Sequence, residues 1–234
     1  MSQTFATTGA VTTGAITPKT SENSTRATRR LLGCGIVAGP VFATTVAIQV
    51  LTRDGYDLTQ HPISMLSLGE LGWIQITNFV LAGLLSIAFA VGMRRVLHPG
   101  RAGTWGSVLF GVFGLGMIIG GVFVTDPSLG FPAGAPAGMP TETSWHARVH
   151  DIAPGLALDA MVIACFVFVR RFAELRQRGL QVYSASTAVA VIVLTCWPSL
   201  DGISVRLAVA MALVLAWMTA IAVHLRHRLA QPSS

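Results

Sequence analysis

Charge is what this chain has least of. Only 11% of its 234 residues are Asp, Glu, Lys or Arg, against about 25% in a soluble domain. So few charges cannot cover a water-facing surface, which excludes an ordinary soluble protein and points to a membrane. Lysine is nearly missing, one against fifteen arginines. With abundant Ala and Gly, that imbalance reads as a high-GC bacterial genome. Cysteine is scarce as well. Cys34, Cys165 and Cys196 are dispersed through apolar stretches, which excludes a disulfide framework or a CxxC motif and leaves small packing residues.

What is present is apolar sequence, 52% of the chain, in six long runs at about 31–51, 73–93, 104–124, 149–169, 182–200 and 205–223. Twenty-one helical residues cover ~31 Å, the thickness of a hydrocarbon core at ~30 Å. In lipid the backbone must satisfy itself within the segment, so the runs predict helices. Their length and lack of alternation exclude strands. The expected fold is all-α, a six-transmembrane-helix bundle over residues 31–228. Residues 1–30 carry nine Thr and no apolar run, and predict a disordered tail. The run behind Arg29 and Arg30 is too long for a signal peptide's apolar region. Residues 229–234 form a second short tail.

The basic residues set the orientation. Thirteen of the sixteen Lys and Arg flank the chain ends or the connections after runs two and four; only Arg53, Arg148 and Arg206 lie at the other end. The positive-inside rule places both termini in the cytoplasm, as a multi-pass protein of a bacterial inner membrane. The pI of about 10.2 is then an orientation signal and an attraction to lipid headgroups, with no nucleic-acid partner implied.

The two long connections, about 52–72 and 125–148, fall on the outer side, and long loops are commonly functional. The first holds Tyr56, Asp57, His61, Ser64 and Ser67, with Pro62 placed to start a short helix. The second is dense in proline and glycine, which excludes regular structure over 126–140, and Asp126-Pro127 can end the third helix. Then comes SWHARVHDIAP, residues 144–154. Ser144 can cap a helix that sets His146 and His150 on one face. Such a pair can hold a metal, as in HExxH helices, but the motif's Glu is absent here. A catalytic Zn²⁺ needs a third protein ligand, which His61 or Asp126 could supply. The readings left open are a metal site of His61, Asp126, His146 and His150; a metal-free proton-transfer or substrate site using His61, Ser64, Asp126, His150 and Asp151; and a polar helix mouth facing water and headgroups.

Two features lie inside the spans. Asp159 sits mid-way along the fourth, where a charged Asp costs ~2.5–3.5 kcal/mol; it is expected to be protonated or hydrogen-bonded, with Asn78, Gln75 and Thr44 as candidate partners. Gly116 and Gly120 form a GxxxG pair in a Gly-rich third span, which predicts close packing within the monomer or in a homodimer.

Three stretches carry a resemblance: HPISMLSLGELGWIQITNFVLAGLLSIAFAVGMRR, GVFVTDPSLGFPAGAP and SWHARVHDIAP. By these the chain resembles the bacterial membrane proteins catalogued as domain of unknown function 998, over roughly residues 31–228. The resemblance implies six helices and marks His61, Ser64, Asp126, His146, His150 and Asp151; it implies no reaction. A looser likeness is to alkaline ceramidases and adiponectin receptors, whose Ser, Asp and HxxxH histidines stand on a seven-helix plan. Three function classes follow: a membrane-embedded hydrolase acting on a lipid or envelope substrate, with or without zinc; a transporter using Asp159; and a non-catalytic scaffold or sensor.

Overall fold

A computed structural model describes residues 18–138 and 140–231. Six helices follow one another: α1 Pro18–Thr52, α2 Gly72–Leu97, α3 Ser107–Val122, α4 Trp145–Glu174, α5 Arg178–Thr195 and α6 Ile203–Ala230. A π-helical turn, Ala102–Gly106, leads into α3, and a short 3-10 helix, Ile63–Ser67, follows Pro62 as the sequence predicts. No strand occurs among the described residues. All six helical segments are long and apolar enough to cross a membrane.

Two boundaries differ from expectation. Residues 18–30, expected as tail, form the opening turns of α1. Pro18 suits a first helical turn, the Glu22/Arg26 spacing supports helix, and Thr28 bonds back to Ser24 O at 3.0 Å. Residues 1–17 lie outside the described residues. The fifth helix stops at Thr195 rather than at residue 200. Pro198 disfavours helix for the residue before it, so Cys196 stands exposed just beyond the helix end.

The helices pack in chain order, and α6 closes the ring on α1. Glycines let them approach. A Cβ on Gly116 would lie 2.7 Å from the Ala157 Cβ, and one on Gly83 would lie 2.5 Å from Gly114 O. The GxxxG face thus meets α4 of the same chain. In lipid such contact replaces the hydrophobic effect as the packing force. Nearer the end that carries the termini, Phe110 stacks on Trp217 (centroids 5.6 Å apart) and Phe168 meets it edge-on. Buried Trp217 donates its indole N–H to Ser184 Oγ at 3.0 Å. The outside of the ring is greasy, with Ile48, Leu84, Leu115, Leu156, Ile163 and Val189 all exposed. A soluble monomer rarely shows so much contiguous apolar surface; a membrane protein presents it to lipid.

Intramembrane polar groups pair differently from expectation. Gln49 donates to Gln75 Oε1 at 2.8 Å, and Asn78 donates to Phe42 O and to Gln75 Oε1. This network joins α1 to α2. Asp159 takes no part in it and lies exposed on the outer face of α4; Thr44 is exposed too.

Candidate functional site

The loop end is built in two layers. The first hangs on His61. Where α1 ends, Arg53 donates to Leu66 O at 3.1 Å and Leu68 O at 2.6 Å, and its guanidinium lies over the Phe131 ring. Desolvation holds the pKa of Arg53 below its usual value. Tyr56 donates its hydroxyl to His61 O at 2.8 Å; burial first, then the charge of Asp57, push the Tyr56 phenol up. The Asp57 N–H donates to His61 Nδ1 at 2.9 Å. That assigns the proton to Nε2, which faces Leu129 O at 3.0 Å and donates to it. Leu129 sits at φ 53°, a conformation uncommon for a residue with a side chain. The His61 bond is one of those holding it. Phe131 packs against the Tyr56 and His61 rings, 5.4 Å from each, and those two rings also meet each other at 5.5 Å.

The second layer is the start of α4. Ser144 caps the helix as the sequence predicts, its Oγ accepting from Ala147 N at 3.2 Å. Asp126 Oδ2 accepts from the Ser144 N–H at 2.7 Å. Hydrogen bonding from Ser144, side chain first and then backbone, with the nearby charge of His146, holds the Asp126 carboxyl below the usual carboxylate range. His150 faces inward, 3% exposed. Its Nδ1 lies 3.0 Å from Gly120 O and 2.8 Å from Phe123 O. Both are acceptors, so Nδ1 carries the proton and Nε2 keeps its lone pair. Among the described residues no group bonds Nε2, which is not fully sealed from solvent.

A cavity of about 340 Å³ opens beside His150. Its polar groups include Ser64, Asp126, His150, Asp151, Gln60 and Ser204, and its deeper wall is made by Phe79, Leu158, Leu207 and Met211. α4 and α6 form two of its sides, and they barely touch each other. No α5 residue lines it, and no α5 residue beyond Val191 is buried.

The sequence-predicted residues therefore divide. Ser64, Asp126, His150 and Asp151 share the cavity. His61 is buried, but backbone groups occupy both its nitrogens. His146 does not share the inward face of His150; it is exposed, its ring 4.0 Å from that of Trp145. The inward stripe of α4 runs through Ala147, His150, Ala153 and Ala157, and His146 falls beside it at the rim. Among the described residues no three His, Cys, Asp or Glu side chains gather closely enough to hold a metal ion. Asp159 is not part of the cavity wall.

A family model described as a protein of unknown function, DUF998, matches residues 36–224. The chain belongs to this family. The match covers every residue lining the cavity and runs from α1 to α6. No curated protein and no solved structure matches the chain. In this DUF998 bundle, sequence reasoning missed Gln60 and Ser204, which bond each other at 2.9 Å through Gln60 O and Ser204 Oγ. Ser204 carried a weak signal, as a hydroxyl at the start of an apolar helix.

Proposed function

We propose that the protein is a membrane-embedded hydrolase acting on a lipid or other envelope amphiphile at its loop end, with His150 as general base. One observation carries this: two carbonyls fix the His150 proton on Nδ1, leaving Nε2 as a base beside a cavity with an apolar back wall. A neutral imidazole of set tautomer can take a proton from water. The Asp126 and Asp151 carboxylates on the same cavity can orient that water and stabilise the imidazolium that forms. The apolar wall suits an acyl chain, and the loose α4–α6 seam beyond Val191 suits entry from the side, out of the bilayer. The proton-transfer step needs no metal, and His61 has no free nitrogen to offer one. The orientation that puts the cavity at the extracytoplasmic face rests on the arginine bias.

The test uses the purified full chain in lipid nanodiscs against a panel of ester, amide and phosphodiester lipids. Wild type is expected to release product, and H150Q to lose about 10²-fold or more, the usual range for a general base. A wild-type chain that releases no more than H150Q across the panel overturns the reading.

A further inference from the structure

The opposite, arginine-rich end holds a second concavity that the first site does not use. It is a groove of about 540 Å³ between the π-helical turn and the last turns of α4. Trp105, Ile163, Phe166 and Val167 form its apolar wall, and Arg101, Arg170 and Arg171 form its rim. Glu174 also lies there, 4.0 Å from Arg170. Three guanidiniums against one carboxylate leave a net charge of +2. The guanidiniums of Arg101 and Arg171 have no hydrogen bond and no ion pair within 4.0 Å among the described residues.

The backbone builds this groove deliberately. The π-helical turn is pressed onto the end of α2: a Cβ on Gly103 would lie 2.3 Å from the Leu97 carbonyl carbon. That leaves Trp105 turned outward, 60% exposed, facing Ile163 and Phe166, themselves about half exposed. π-helical turns recur at functional sites. Exposed arginines alone would mark only the membrane surface. Here they crown an apolar wall of Trp105, Ile163 and Phe166, which runs up the exposed side of α4 as far as Asp159.

We propose that this groove binds an anionic phospholipid from the leaflet at the arginine-rich end. The phosphate sits among Arg101, Arg170 and Arg171, where planar guanidiniums match its oxygens. One acyl chain lies along Trp105, Ile163 and Phe166. Basic pockets between transmembrane helices recognise acidic headgroups in this way. A soluble anion would use the arginines and leave the wall unused.

Trp105 is the reporter. Trp73, Trp145 and Trp197 lie at the loop end, and Trp217 is fully buried. The full chain is reconstituted in phosphatidylcholine vesicles containing a minor fraction of bromine-labelled phosphatidylglycerol, or the same fraction of bromine-labelled phosphatidylcholine. The anionic lipid is expected to quench more, and W105F to remove the excess. R101Q, at an exposed position where folding is not at stake, is expected to cut the preference about fivefold, and R101Q/R171Q further. R26Q/R29Q, which removes two cations elsewhere at the same end, is expected to leave it unchanged. Equal quenching by the two lipids overturns the proposal. So does an excess that survives R101Q/R171Q, one that R26Q/R29Q removes equally, or one that inorganic phosphate abolishes.

Discussion

His61 and His150 look alike until their nitrogens are counted. Both are buried at the loop end, at 4% and 3% exposure, and both bond backbone carbonyls from distant segments. In the His61 layer each nitrogen has a partner, so the ring is a clamp between two loops. In the His150 layer only Nδ1 has a partner among the described residues, and the ring lines the cavity. A buried histidine is therefore part of the architecture or of a site according to which nitrogen the fold leaves over.

The largest expected effect tests that division directly. H61A orphans the Asp57 N–H and the Leu129 carbonyl and removes two ring contacts, so it should cost about 2–6 kcal/mol, at roughly 1–3 for each orphaned group. H150A should cost less stability and yet abolish lipid turnover. Denaturant unfolding in detergent and the turnover assay together read both; an H61A chain as stable as H150A breaks the comparison. Next come the glycines that bring α3 to His150. G116A would place a methyl 2.7 Å from the Ala157 Cβ and 2.9 Å from Ala153 O, whereas at G120A the nearest atom is Pro154 Cγ at 3.4 Å. The first should lower stability by about 1–3 kcal/mol, as overpacking does, and weaken turnover by lifting Gly120 O from His150. The second should be nearly silent. Smaller still are Y56F, which removes one hydrogen bond to the His61 layer at about 1 kcal/mol, and S144A, which removes the α4 cap at about 1 kcal/mol. Only S144A should alter turnover.

The large scale of this structure was legible, because lipid imposes it. Six apolar runs of spanning length, Pro62 before a short helix and Ser144 as a cap each rest on local sequence. The tail boundary was missed because its polar residues hide a helical charge spacing. The fate of His61 was not legible, since its partners are a neighbouring N–H and a carbonyl 68 residues away, and backbone groups leave no mark in side-chain identity. His146 and His150 share a face by spacing, but spacing does not say which of the two falls at the rim. Gln49 was readable as a polar residue in an apolar span; that it would bond Gln75 ahead of Asp159 depends on how α1 sits on α2.

The gentlest probe is acid, and it divides the layers through their carboxylates. Asp57 is held below the ordinary value of 3.8 by hydrogen bonds from Thr59 above all, and Asp126 by those from Ser144. A carboxyl whose folded pKa is depressed contributes stability that is fully present above the unfolded value and lost as pH falls through the folded one. Both layers should therefore hold steady from neutral pH down to about 4 and loosen below it. Both groups are well solvated, so the loss should be small and local. Hydrogen exchange over residues 53–71 reads the His61 layer, and exchange over residues 144–150 reads the start of α4. D126N should flatten the acid response of the α4 segment and leave the first loop unchanged, and D57N should do the reverse. If either substitution flattens both segments, the layers are one cooperative unit, and His61 then belongs to the site through Leu129 and the second loop rather than standing apart from it.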